Sequence, residues 1–378
     1  MAALSAAQAV LLYTYAKRPP LEIPFSAADK NYNLVDFRGV PQNPTFRVDE
    51  LESLVTTFEA RSGDVFVCTY PKCGTTWMQQ ICHLLVHGGE QGDSTMYATA
   101  PWLECLCAAP ILHEREANNY TMEQLAAMPE DRPRFFKSHA NFPDLPRGTR
   151  TGVSGEDGVK VIIVARNPKD TCVSMWHHAR EKPEFNLAGG APRPGSDDPP
   201  APTPVCDDFE EFVQLFIAGK AECGTLSAAL VFALSDFSRV FFFFARLSYH
   251  RSVANIATGS WFDHILEWYA ASLHDPNILF LKYEDMIDDP AAAIASVAAF
   301  IGCGNTPEII AKTVEASSMS NMKKSSGVYA GNVRKGGVGN WRKKIRENSL
   351  INAAFDGEYM KQMSGSGLTF NFGDSLVM

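Results

Sequence analysis

The sequence predicts a single α/β domain built on a central parallel sheet with flanking helices, and three observations carry that expectation. Short apolar runs recur at residues 65–67 (VFV), 135–136 (FF), 161–164 (VIIV) and 278–281 (ILFL), with the shape of buried strands. A polar residue follows each run at a short interval, namely Lys72, His139, Arg166 and Tyr283. The first run also enters a Lys-Cys-Gly-Thr-Thr turn that opens a helical pattern, in which Trp77, Ile81, Leu84 and Leu85 share a face and Gly88-Gly89 can stop the helix. If the runs are parallel strands joined by helices, all four polar groups lie at strand C-terminal ends, the edge at which open α/β sheets bind ligands.

Taken in order, residues 1–30 read as an N-terminal extension and 31–378 as the domain. The first sixteen residues are mostly apolar but lack a positive n-region, and Tyr13, Tyr15, Lys17 and Arg18 interrupt any longer span, so neither a signal nor a membrane anchor is expected. The turn after the first strand places Thr75 or Thr76 near a helix N-terminus, where unpaired N–H groups and the positive dipole end favour an anion. Such a turn is also an ordinary helix start. It is not a Walker A loop, because Lys72 precedes the glycine and the GxxxxGK[ST] spacing is absent, which disfavours a nucleotide kinase. After the third strand, Pro168 and Asp170 suit the first turn of a helix, and Ser174 falls about one turn further in.

Composition fits a soluble enzyme, with 46% hydrophobic and 20% charged residues in 378. The net charge of −9 gives no general attraction to nucleic acid, so an anion site has to be a local cluster, for which Lys72, Lys137, Arg166, Arg334 and Lys335 are candidates. Each of these taken alone also reads as a solvated surface charge. Nine cysteines without a CxxC pair or a zinc-like His/Cys spacing point to reduced thiols in the cytoplasm, several packed as small hydrophobes. No Asp/Glu cluster has a metal-ligand pattern, and no metal is expected.

The segment TYPKCGTTW resembles the 5′-phosphosulfate loop of the cytosolic sulfotransferases, a P-loop-like element usually worded YPKSGTTW. RFFKSH at 134–139 is similar to that family's Lys-Thr-His segment, and KVIIVARNPKDTCVS at 160–174 to its 3′-phosphate-binding strand, loop and helix. LFLKYED at 279–285 and RKGGVGNW at 334–341 resemble two further family segments, in the family's order. The resemblance covers most of the chain from about residue 31 and implies sulfuryl transfer from 3′-phosphoadenosine 5′-phosphosulfate to a hydroxyl or amine of a small lipophilic acceptor, without a divalent metal.

Residue by residue, the resemblance implies that His139 is the general base, where a hydrogen-bonded structural histidine is the plainer alternative. It implies that Lys72 stabilises the leaving phosphate, that Lys137 assists at the sulfuryl oxygens, and that Ser174 bonds the 3′-phosphate and restrains Lys72. Cys73, Gly74, Thr75 and Thr76 would hold the 5′-phosphate. Trp77 would stack on adenine or serve as helix core, and Tyr283 would reach the purine or a nearby phosphate. Arg166, Arg334, Lys335 and Gly336 would join Ser174 at the 3′-phosphate. SSMSNM at 317–322 adds Ser317, Met319 and Met322 on the nucleotide side.

Departures from the family wording are expected to matter locally. Cys73 in place of serine predicts a poorer phosphate-facing donor and an oxidation point. Met319 replaces an aromatic and Asn340 an aspartate, while residues 325–333 predict a shortened acceptor lid. No family dimer motif is visible, which leaves a monomer or weak homodimer. Residues 186–204, rich in Pro and Gly, read as a loop near acceptor entry or as a tolerated surface insertion. Residues 225–259 resemble no family element, and their removal would restore a family-like sequence, so they read as an in-frame retained intron. Besides an active enzyme, two alternatives follow: a catalytically silent nucleotide-binding paralogue, and an isoform made nonproductive by that insert.

Overall fold

The computed structural model describes residues 35–38, 40–42, 47–107, 120–128, 133–146, 158–181, 208–219, 259–324, 336–345 and 349–373. The N-terminal extension, the 186–204 loop, residues 325–335 and all of the insert but Gly259 lie outside them. A short antiparallel pair, β1 (Val35–Phe37) and β2 (Val40–Gln42), precedes α1 (Val48–Thr57), β3 (Val65–Cys68), α2 (Thr75–Val86), α3 (Met96–Thr99) and α4 (Met122–Ala126). Then come β4 (Phe135–Ser138), β5 (Lys160–Ala165), α5 (Pro168–Glu181), α6 (Phe209–Ile217), α7 (Trp261–Ser272) and β6 (Ile278–Lys282). Among the described residues, five α-helices follow: α8 (Tyr283–Asp288), α9 (Pro290–Ile301), α10 (Pro307–Ala316), α11 (Met319–Lys324) and α12 (Ser349–Met363).

Strands β4-β3-β5-β6 form one sheet in that order, every pair parallel, in registers that match Val65 with Phe135 and Lys160, and Val161 with Ile278. The chain leaves β3 for β4 on one side and returns to β5 on the other, so the order reverses between β3 and β5. A parallel sheet needs helical cover on both faces. Alternation of side chains supplies it here: Val65, Val67, Ile162 and Val164 pack with α2 and α9, and Phe66, Cys68, Phe136, Val161 and Ile163 pack with α1 and α7. Burying an aliphatic or aromatic side chain of this kind contributes roughly 1.5–3 kcal/mol. A third cluster, from α5, α6, α7 and α12, closes the end of the sheet beyond the strand C-termini. At the opposite end Arg134 is buried in a two-point pair with Asp64, at 2.9 Å from Nε and 2.5 Å from Nη2.

Helix α2 differs from the amphipathic expectation, because Gln79, Gln80 and His83 are buried along with Ile81, Leu84 and Leu85. Segment 91–100 covers the polar side and satisfies it: Gln79 donates to the Ala100 carbonyl, Gln80 to Gln91, and His83 bonds Thr99 and the Gln91 carbonyl. Gly88 and Gly89 do stop the helix, both at positive φ, with Gly89 N–H reaching Leu84 O at 2.8 Å and Gly88 N–H reaching Leu85 O at 3.4 Å. Cys68, Cys73, Cys82, Cys105 and Cys172 are buried and in no disulfide, packed as small hydrophobes would be.

The two ends of the 220–259 connection meet in space. A Cβ built on Gly219 would lie 3.0 Å from both N and Cα of Ser260, the residue that caps α7. Joining Gly224 to Ser260 would leave residues 220–224 to bridge that gap. By chain-closure entropy alone, cutting this 40-residue connection to five favours the folded state by about 2 kcal/mol. A variant lacking residues 225–259 is therefore expected to unfold cooperatively at or above the midpoint of the full chain, measured by circular dichroism. A lower midpoint or loss of cooperativity would show that the segment is part of the fold.

Candidate active site

The turn after β3 lies beside the point where strand order reverses, the usual ligand crevice of an open α/β sheet. Lys72 is left-handed at φ 69°, and Gly74 has φ 114°. No side chain caps α2, as is also true of α1 and α8, whereas α3, α4, α7, α9 and α10 are each capped by a Ser, Thr or Asp oxygen. The first N–H groups of α2 are thus without a side-chain acceptor, at the positive end of the helix and beside the crevice. Behind it the Thr69 and Thr75 hydroxyls bond at 2.5 Å.

Cys73 overturns one expectation. Its side chain is wholly buried, with Sγ 3.6 Å from the Thr171 hydroxyl, and its N–H bonds the Tyr70 carbonyl at 3.2 Å. Burial pushes the thiol up to about 12, so it is neither phosphate-facing nor a ready oxidation point. The left-handed turn at Lys72 points the next side chain inward.

His139 follows β4 directly, and its Nδ1 lies 2.7 Å from the Thr69 carbonyl. A carbonyl only accepts, so the proton is on Nδ1 and Nε2 carries the lone pair. Burial drives the imidazole well below its ordinary pKa, and the positive charge of Lys137 adds to that, with smaller contributions from His264 and Lys72. Its ring edge meets Trp102 at 5.2 Å, while the Lys137 ammonium lies 3.7 Å from the centre of the same indole. Two residues missed by sequence reasoning hold this corner. Half-buried Glu104 accepts from Ser138 Oγ at 2.6 Å and from the His139 N–H at 3.0 Å. His264 is fully buried between Tyr70 and Trp268, on the apolar stripe of α7 shared with Trp261, Ile265 and Trp268.

Arg166 follows β5 and joins both candidate loops, donating to Lys72 O at 3.3 Å and to Gly337 O at 3.0 Å. Asn167 caps α5 by accepting the Asp170 N–H at 2.8 Å. Asp170 in turn accepts from Gly339 N–H at 2.7 Å and Trp341 N–H at 2.9 Å. Asn340 donates to Gly336 O at 2.5 Å, a bond that the aspartate of the family wording could not make. Ser174 is half-buried on α5, one turn beyond Thr171 and on the same side.

Tyr283 closes the group. A Cβ on Gly74 would come 2.9 Å from its ring, the Arg166 guanidinium lies 4.5 Å from its centre, and Trp77 meets it edge to face at 5.5 Å. Trp77 also packs with Met96 and Met322, so it contributes to the core as well as to the site. Met319 packs on Gly336, where a Cβ would fall 2.3 Å from its methyl. Trp77 Nε1, Arg166 Nε and Ser317 Oγ are buried without hydrogen-bond partners in the protein, as are several polar atoms elsewhere among the described residues. Of the sequence-predicted residues, Arg334 and Lys335 lie outside the described residues. Among the described residues no His/Cys/Asp/Glu group could hold a metal, and no helix is long and apolar enough to cross a membrane.

Comparison with known proteins places these residues in context. The sulfotransferase domain family matches residues 62–367. Dog sulfotransferase 1A1 is 27% identical over 88% of this chain and 94% of its own length, and human sulfotransferase 1C2 is 27% identical over 84% and 89%. Among solved structures, a mouse sulfotransferase complexed with PAP superposes with a TM-score of 0.59 at 24% identity, covering 89% of this chain and 96% of the other. Retinol dehydratase in a complex with retinol and PAP gives 0.60 at 21% identity, covering 97% of both chains. These structures share the fold.

The electrostatics of the corner give a pH prediction. His264 is held neutral by burial, its pKa lowered to about 3, so between that value and about 6.5 the unfolded chain takes a proton that the folded chain refuses. Stability from this group is present above pH 6.5 and is lost as pH falls. Glu284, raised by burial to about 7, acts in the opposite sense, so a difference measurement is needed. Between pH 7.5 and 5, His264→Phe is expected to lose about 2 kcal/mol less unfolding free energy than wild type in urea titrations. Equal losses would mean that His264 accepts a proton in the folded state.

Proposed function

This chain belongs to the sulfotransferase family, and from that premise we propose that it moves a sulfuryl group from 3′-phosphoadenosine 5′-phosphosulfate to a hydroxyl or amine of a small lipophilic acceptor, with His139 as general base. The observation that carries the assignment is the gathering of Lys72, His139 and Arg166 at one end of the sheet, beside a helix N-terminus that no side chain caps. Three buried polar atoms without protein partners, and a turn whose Gly74 has no room for a Cβ, fit a phosphorylated nucleotide there. The retinol bound by retinol dehydratase is a lipophilic alcohol of the class proposed for the acceptor.

When bound, the donor supplies an SO3 group attached through a phosphate leaving group. His139 Nε2 takes the acceptor proton, with the ring held by its Nδ1 bond to Thr69. Lys72 stabilises negative charge on the departing phosphate, and Lys137 does so at the sulfuryl oxygens. Gly74, Thr75 and Thr76 hold the 5′-phosphate through backbone N–H groups and hydroxyls. Ser174, Arg166, Arg334, Lys335 and Gly336 hold the 3′-phosphate. Trp77, Tyr283, Ser317, Met319 and Met322 line the purine side. The chemistry needs no divalent metal, because cationic side chains and helix N–H groups neutralise the charge. The close approach of Gly219 to Ser260 supports a working domain over one disabled by the insert. A cytoplasmic location is part of the same proposal.

His139→Ala is expected to lower transfer from labelled donor to a panel of phenols, alcohols and amines by about 10²–10⁴-fold, while nucleotide affinity measured by calorimetry persists. Equal turnover in the two proteins refutes the base assignment. Because its pKa is depressed, His139 stays unprotonated through neutral pH, and turnover should fall only as pH drops well below 6.5. An acid limb of kcat centred at or above 6.5 would contradict that electrostatic picture.

A further inference from the structure

A lysine without solvent contact is costly unless its ammonium is fully paired, and Lys169, in the first turn of α5, has no exposure at all. Nothing in the proposed reaction uses it. Its Nζ donates to Asn352 Oδ1 at 2.8 Å and pairs with the Asp356 carboxylate, both on α12. It also lies 4.3 Å from the centre of the Trp341 ring, 5.5 Å from that of Phe372 and 5.9 Å from that of Phe355. One ammonium is therefore boxed by two polar partners and three aromatic rings.

That box fixes a loop which cannot fix itself. Gly336, Gly337 and Gly339 all adopt positive φ, where glycine has wide freedom, so the loop depends on outside contacts for its place. Three come from the start of α5 and from Arg166, two residues before it. Arg166 holds the Gly337 carbonyl, Asp170 holds the N–H groups of Gly339 and Trp341, and Lys169 lies against the Trp341 indole. Trp341 is further tied by Nε1 to the Phe372 carbonyl at 3.0 Å. An uncharged side chain at 169 would leave Asn352 and Asp356 without their ammonium and remove the cation from the indole. The loop would then be free to shift relative to Arg166, the residue it must face across a phosphate.

We infer that Lys169 is a positioning residue that sets the preference for a 3′-phosphorylated nucleotide, by holding Trp341 and through it the glycine loop at a fixed distance from Arg166. This rests on the donor assignment above. It makes no contact with the nucleotide a requirement for Lys169 itself, which separates it from Arg166.

The test is calorimetric titration of wild type, Lys169→Met and Lys169→Arg with adenosine 3′,5′-bisphosphate and with adenosine 5′-monophosphate, alongside thermal unfolding. Wild type should prefer the bisphosphate. Lys169→Met should lose roughly tenfold or more in bisphosphate affinity, the size of one charged hydrogen bond, with less than about a twofold change for the monophosphate. Lys169→Arg, which keeps the charge and stacks on an indole, should recover most of the preference. Equal loss for both nucleotides in Lys169→Met, or no loss for either, overturns the inference while leaving the donor assignment standing. A wild type that binds both nucleotides alike overturns the donor assignment and the inference with it. Should Lys169→Met fail to unfold cooperatively, Asp356→Asn, at a carboxylate about one-third exposed, replaces it, with a smaller selective loss expected and an equal loss for both nucleotides again overturning the inference.

Discussion

A side-chain carbon on Gly74 would fall 2.9 Å from the Tyr283 ring and 3.5 Å from Val164, and at φ 114° it would be strained even with space available. This one position therefore has to be bare backbone, and much of the site depends on it. Because Gly74 can lie flat against Tyr283, α2 starts directly over the β3–β5 junction with its first N–H groups uncapped. The same approach brings Tyr283 within reach of Trp77 and under the Arg166 guanidinium. The proposed nucleotide side of the site is in this sense a consequence of a close contact between a turn and the strand end two positions away in the sheet.

Much of the floor of the site is buried, and its electrostatics follow. Burial holds His139 and His264 neutral and raises Glu104, Glu284 and the Cys73 thiol. A low-dielectric setting strengthens the remaining ion–dipole interactions, so fixed donors count for more there than in water. His139 gains a definite tautomer from Thr69, and its backbone is pinned by Glu104 through the same carboxylate oxygen that takes the Ser138 hydroxyl. The general base proposed here is thus oriented by strand ends on two neighbouring strands rather than by a flexible loop.

Strands and their polar successors were legible in the sequence because a fully buried parallel strand leaves a continuous apolar run, and the chain must turn polar where it exits the sheet. The helix stop at Gly88-Gly89 was legible for an equally local reason. The burial of Gln79, Gln80 and His83 was not, since it depends on segment 91–100 folding back over α2. Nor was the inward direction of Cys73, which the left-handed backbone at Lys72 decides. Glu104 and His264 did leave signals. A carboxylate inside the apolar PWLECLC run, and a histidine on the stripe of Trp261, Ile265 and Trp268, are polar groups at core positions that call for partners or a purpose.

Arg166 shows why the two ends of the proposed nucleotide site cannot be treated as independent. Its guanidinium has five N–H donors, and two different nitrogens already serve the Lys72 and Gly337 carbonyls, one in each loop. The Nε–H is buried and unclaimed. A phosphate that met the remaining donors would be gripped by a group already bridging the 5′ turn and the glycine loop. Because the bridge exists before any ligand arrives, little ordering is left to be done on binding, and affinity gains by the conformational entropy already lost on folding.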